Sequence, residues 1–160
     1  AEHTPLMIMN DRPDLAVLSG ADGVHVGQAE LTVEQTRRIV GVDSIIGVST
    51  HSLDQVKQAV NDGANYIGCG PVFTSQTKEF DNFPGIEFLR QVVEATPMPA
   101  FAIGGISLDN IEEMSTVGFT RVAVSACLTN TDDVTAMVAE LKGALDVNKN
   151  KAGKADAIRS

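Results

Sequence analysis

Asp11 and Glu30 each stand shortly after an apolar run, residues 6–9 and 23–26, where parallel α/β folds bind their ligands. Carboxylates at two successive strand ends suit Mg²⁺, which takes one or two carboxylates and leaves its other positions to water and substrate phosphates. On the residues alone, a solvated or helix-capping role suits both better. Gly104-Gly105 precedes a helix start at Ser107, so backbone N–H groups and the helix end could cradle an oxyanion; a tight strand-to-helix turn needs the same glycines. Ser125-Ala126 follows the last apolar run, and in barrels the final two loops recur as a phosphate site. Residues 72–84 form a long loop whose Thr74, Ser75, Thr77 and Lys78 fit a phosphate or simply water. His51, beside Ser49 and Thr50 at another strand end, is the proton-transfer candidate, with capping of the next helix as its other use. His25, between Val24 and Val26, reads as a core histidine, and Cys69 and Cys127 read as inert small hydrophobes.

These residues share one kind of place because the chain has one kind of rhythm. Apolar, β-branched runs at 6–9, 23–26, 44–48, 66–69, 100–103 and 121–124 recur about every 21 residues, with one interval of 34 that holds the long loop. Helical periodicity fills the gaps at 31–39, 53–60, 86–93, 111–117 and 134–141. Strand-helix alternation on that spacing predicts a parallel sheet, either a (β/α)8 barrel or an open doubly wound fold. Ser52, Ser107 and Thr32 with Gln35 are the helix N-caps, and Gly20, Gly63 and Gly118 end helices before the next strand. Six βα units are visible where a barrel has eight.

Composition narrows the class. The 160 residues are 43% hydrophobic with a net charge of -9, enough apolar material for one domain's core and the wrong sign for a nucleic-acid face. An anionic ligand must therefore be held by local donors. No apolar run is long enough to span a membrane, and the cysteines lack metal-ligand spacing, so no membrane and a cytoplasmic setting are the expectation. Residues 1–145 form the folded unit. Residues 146–160, with Lys149, Lys151, Lys154 and Arg159 and no apolar period, are expected to be a disordered basic tail.

Five motifs together are more specific. Met9-Asn10-Asp11-Arg12, Gly23-Val24-His25-Val26-Gly27-Gln28, Gly47-Val48-Ser49-Thr50-His51-Ser52, Gly68-Cys69-Gly70-Pro71-Val72-Phe73 through Thr77-Lys78, and Ala102-Ile103-Gly104-Gly105-Ile106 resemble, in order and spacing, the thiamine phosphate synthase family over residues 6–145. The resemblance implies a (β/α)8 barrel and a transferase that joins hydroxymethylpyrimidine pyrophosphate to hydroxyethylthiazole phosphate, releasing pyrophosphate with Mg²⁺. It implies that Asn10 and Asp11 meet the pyrophosphate and its metal, with Glu30 at the second metal-binding position. Ser49 would contact pyrophosphate or pyrimidine, and Ser75, Thr77 and Lys78 would bind substrate phosphate. Gly104, Gly105, Ser125 and Ala126 would hold the thiazole phosphate. Ser49 and Lys78 are then the catalytic residues, with His51 added for its position.

The sequence also departs from that family. Glu30 replaces the usual Asp, one methylene longer, and the first two βα units, with a pyrophosphate-gripping Gln-x-Arg-x-Lys strand, have no counterpart. The expectation is the last six units of a barrel whose strand at residues 6–9 is an open edge, covered by a second polypeptide or by a homo-oligomer. Two other readings stand beside the synthase: a thiazole tautomerase-like enzyme working through His51, and a non-catalytic phosphate-binding remnant.

Overall fold

The computed structural model describes residues 4–74 and 84–156, with side chains described to residue 145. The elements run β1 (Ile8–Asn10), α1 (Pro13–Ser19), β2 (Gly23–Val26), α2 (Val33–Val40), β3 (Ile45–Thr50), α3 (Leu53–Asn61) and β4 (Tyr66–Cys69). They continue with α4 (Gly85–Ala95), β5 (Ala100–Ile103), α5 (Ile111–Thr116), β6 (Val122–Ala123), α6 (Ala126–Thr129) and α7 (Val134–Asp156). All six strands are parallel and lie in chain order from β1 to β6. A doubly wound sheet reverses its strand order at a switch point, and this sheet does not. With right-handed crossovers, sequential order sends every helix to the same face, which is the topology of a (β/α) barrel. The alternative left open by spacing is thereby settled.

The strand residues divide accordingly. Val24, Val26, Ile46, Ile67, Cys69 and Ala102 point to the helix side and are buried against a core that includes Val56, Leu89, Val92, Ile111 and Met114. The opposite, concave side carries His25, Ser49, Tyr66 and Phe101, all half-buried, with Gly47 and Gly68 between them. One face thus holds the molecule together, and the other is free for chemistry.

Helix ends follow local chemistry in most places. Thr32 and Gln35 form a reciprocal capping box at α2, and Ser52 accepts from the Gln55 N–H at α3. Pro13 opens α1, where its missing N–H costs nothing, and Gly20 closes it in the left-handed conformation. The sequence periodicity did not show α1 or the four-residue α6. Nor does Ser107 cap α5: its N–H donates to Asn110 Oδ1 in a turn, and the helix begins at Ile111. The boundary read at residue 146 is crossed by α7, whose backbone is helical to Asp156. A helix satisfies its own backbone without an apolar stripe, so an absent period does not mark its end.

Candidate active site

The parallel register builds the concave face in rows. Asn10, His25, Gly47 and Tyr66 share one row, and Ser49, Gly68 and Phe101 the next. His25 lies between two hydroxyls: its Nδ1 is 3.0 Å from Tyr66 Oη and its Nε2 is 2.9 Å from Ser49 Oγ. Gly47 makes this possible, because a Cβ there would sit 2.0 Å from the Tyr66 ring. Tyr66 packs edge-on against Phe101, with ring centroids 5.5 Å apart. Burial pushes the His25 imidazole below its ordinary range, while the charge of Asp11 opposes this. Burial likewise pushes the Tyr66 phenol up, so it keeps its proton. The Ser49 carbonyl accepts from Gln28 Nε2 at 2.6 Å, tying the end of β3 to the loop after β2.

Around this row stand the strand ends. Asp11 has a φ of 58°, and its N–H donates to the His25 carbonyl at 2.8 Å. Its carboxylate accepts from Asn10 Nδ2 at 2.7 Å. Glu30, with Gln28, lines a cavity of about 160 Å³ that reaches Gln55, Gln58 and Asp62 beside α2 and α3. His51 donates its backbone N–H to Gln55 Oε1, and its Nδ1 is hydrogen-bonded to the Gly70 carbonyl. A carbonyl only accepts, so in the neutral ring Nδ1 carries the proton and Nε2 keeps a free lone pair. Gly104 and Gly105 have φ of 99° and 63°, and the chain after β4 lies directly on them. The N–H groups of Val72 and Phe73 donate to the Ile103 and Gly104 carbonyls, at 3.0 and 3.1 Å. A Cβ at Gly104 would lie 2.7 Å from Pro71, and one at Gly105 2.5 Å from the Thr74 carbonyl. Ser125 and Ala126 form the entry to α6. Ser75, Thr77 and Lys78 lie outside the described residues.

The family model for thiamine monophosphate synthase matches residues 1–128. The thiamine-phosphate synthase of Rhodopirellula baltica is 55% identical over 133 residues, covering 80% of this chain and 36% of its own. The chain belongs to the thiamine monophosphate synthase family. The synthase of Caldicellulosiruptor bescii is 40% identical over 141 residues, covering 88% of this chain and 64% of its own. Among solved structures, a thiamine phosphate pyrophosphorylase from Pyrococcus furiosus superposes with a TM-score of 0.79 at 33% identity, covering 89% of this chain and 68% of that one. The chain thus spans between about a third and two thirds of the length of these curated relatives.

Within that family fold, Asn10, Asp11, Ser49, His51, Gly104 and Gly105 all fall at carboxyl ends of the parallel strands, as the motifs require. Sequence reasoning missed His25 and Tyr66. The available signal was alternation: His25, Ser49 and Tyr66 each alternate with buried residues of their strands and so share the opposite face, and two glycines stand beside them. Among the described residues, no three His, Cys, Asp or Glu side chains group closely enough to hold a metal ion. Asp11 and Glu30 are nevertheless hard oxygen donors at adjacent strand ends, with the Asp11 carboxylate steadied by Asn10. Two carboxylates would meet the modest protein demand of Mg²⁺ and not that of Zn²⁺, but the structure places them apart in their surroundings: Asp11 lies with Asn10 and His25, whereas Glu30 lines the cavity with Val26, Val48, Gln55 and Gln58. Among the described residues no helix is long and apolar enough to cross a membrane.

Proposed function

We propose that this chain carries six βα units of a thiamine phosphate synthase and takes part in coupling hydroxymethylpyrimidine pyrophosphate to hydroxyethylthiazole phosphate. The reading is supported above all by the placement of Asn10-Asp11, Ser49 and Gly104-Gly105 at one end of a single parallel sheet, around the His25 row. In the reaction, the bond from the pyrimidine methylene carbon to a pyrophosphate oxygen breaks, and the thiazole nitrogen forms the new C–N bond. Asp11 and Glu30 would hold Mg²⁺. When bound, the ion would neutralise charge building on the departing pyrophosphate.

The remaining work falls to the chain. Ser49 hydrogen-bonds the pyrophosphate or the pyrimidine ring, and Asn10 adds a donor beside Asp11. Ser75, Thr77 and Lys78 bind substrate phosphate, Lys78 matching charge that develops as the bond breaks. Gly104, Gly105, Ser125 and Ala126 hold the thiazole phosphate by backbone N–H groups, the absent side chains of the glycine pair being what lets the chain after β4 pack against them. His51 Nε2 is the proton acceptor that a tautomerase-like reaction would use, and coupling itself moves no net proton. The setting is cytoplasmic. The partner is a second polypeptide or a second copy of this chain against β1, which pairs only with β2 among the described strands.

The deciding experiment is thiamine phosphate formation from the two substrates, with Mg²⁺ and with a chelator. It is run on this chain alone and with the N-terminal βα units of a relative added. Mg²⁺-dependent product in either mixture is expected. Failure in both, or product that is indifferent to chelation, overturns the reading or its metal. His51→Ala is expected to retain coupling, whereas a tautomerase would lose its activity.

A further inference from the structure

Tyr66 belongs to none of the motifs that carry the family resemblance, yet it sits at the head of a hydrogen-bonded chain that ends on Ser49. We propose that Tyr66 is a positioning residue that, acting through His25, fixes the Ser49 hydroxyl as a hydrogen-bond donor toward the concave face. The inference rests on the synthase reading for the role of Ser49, and not for the hydrogen-bond polarity itself.

The chain Tyr66 Oη, His25 Nδ1, His25 Nε2, Ser49 Oγ has two possible polarities, because a neutral imidazole donates from one nitrogen and accepts at the other. In one, Ser49 donates to Nε2 and Nδ1–H donates to Tyr66, which leaves the phenolic proton without an acceptor among the described residues. In the other, Tyr66 donates to Nδ1, Nε2–H donates to Ser49 Oγ, and the proton left over is that of the Ser49 hydroxyl. Each polarity leaves one hydroxyl proton over, and the second is favoured because the phenol is the stronger acid and so the better donor, while the Ser49 proton lies near the carboxyl end of β3, where a ligand can accept it. It frees the Ser49 O–H to donate outward. The ligand atom it selects is an acceptor, either a pyrophosphate oxygen or a pyrimidine ring nitrogen.

The surroundings hold the chain in register. Tyr66 reaches His25 across Gly47, and a Cβ at Gly47 would lie 2.4 Å from the phenolic oxygen. Gly68 gives the imidazole its room, because a Cβ there would lie 3.3 Å from His25 Cε1. The Phe101 ring, at 78° to that of Tyr66, sets the phenol's plane.

The test is ¹⁵N NMR of the imidazole nitrogens of the full chain at neutral pH, with His25 identified by its loss in His25→Gln. The expected spectrum shows a single neutral Nε2–H tautomer with Nδ1 accepting a hydrogen bond. An Nδ1–H tautomer, an average of the two or an imidazolium overturns the proposal. Tyr66→Phe keeps the ring packing, and it is expected to move the Nδ1 resonance toward that of an unbonded nitrogen. Ser49→Ala is expected to leave the tautomer as it was, because Tyr66 sets it. An unchanged Tyr66→Phe spectrum or a tautomer reversed by Ser49→Ala overturns the direction of the chain. In turnover, Tyr66→Phe is expected to lower kcat about two- to tenfold with KM little changed, as befits a donor misoriented and not removed. An unchanged kcat refutes the positioning role. If the parent makes no thiamine phosphate either alone or with the N-terminal βα units of a relative added, the synthase reading fails there while the NMR still decides the polarity.

Discussion

Asp11 shows at the residue scale what a functional side chain demands of its backbone. A φ of 58° is left-handed space that glycine enters freely and aspartate enters at a cost on the order of 1 kcal/mol. Asp11→Gly is therefore expected to keep or raise thermal stability by up to ~1 kcal/mol while abolishing Mg²⁺-dependent product. A melting temperature well below the parent's would show that the carboxylate is structural. Cys69 makes the opposite point. It is fully buried beside Thr50, and burial pushes its thiol up to about 11, with the Thr50 hydroxyl opposing. At pH 8 a thiol reagent should label Cys127 and spare Cys69 until denaturant is added. Because the folded state holds that proton more tightly than the unfolded one, stability should fall as pH rises above the unfolded thiol's 9.0.

At the scale of elements, α2 and β3 each contain one atom that decides their packing. Thr36 is buried in α2, and its hydroxyl has no hydrogen-bond partner among the described residues. Val has the same shape and similar helix propensity, so Thr36→Val is expected to raise stability by about 1 kcal/mol, roughly 2–4 °C in Tm. An unchanged or lower Tm would mean that the hydroxyl is satisfied in solution. In β3, Gly47 lies under the Tyr66 ring, and Gly47→Ala would drive a methyl into it at 2.0 Å. That overpacking is expected to cost about 1–3 kcal/mol and to break the contact between Tyr66 and His25. Chemical denaturation measures the first effect, and the His25 imidazole resonances report the second.

At the scale of the whole molecule, the described strands form one parallel sheet in chain order with β1 at an edge. That strand pairs only with β2 among the described strands, and beside it Leu6 is 64% and Leu18 81% exposed. An unpaired edge next to apolar side chains is a template for pairing. On the proposed covering of this edge, sedimentation should show the isolated chain self-associating with concentration. Addition of the preceding βα units of a relative should reverse it. A concentration-independent monomer would contradict the proposal.

Period, caps and motif order were legible from the residues alone. The alternation about every 21 residues gave six parallel strands, Thr32 with Gln35 gave the start of α2, and five motifs in order gave the family. These succeed because backbone hydrogen bonding and burial of one apolar face are local or periodic demands. Spacing alone left a barrel-type and a doubly wound sheet open; the motif resemblance implied the barrel, and strand order, which no local pattern encodes, bears it out. The starts of α1, α5 and α6 waited on the structure, because short helices carry too few turns to show a period. His25 looked like a core residue because its neighbours in sequence are apolar. Its true partners, Ser49 and Tyr66, are 24 and 41 residues away and reach it only through strand register, across a glycine that left the space. Sequence determines which side chains are polar on a buried strand; only the tertiary structure brings those of different strands within hydrogen-bonding distance.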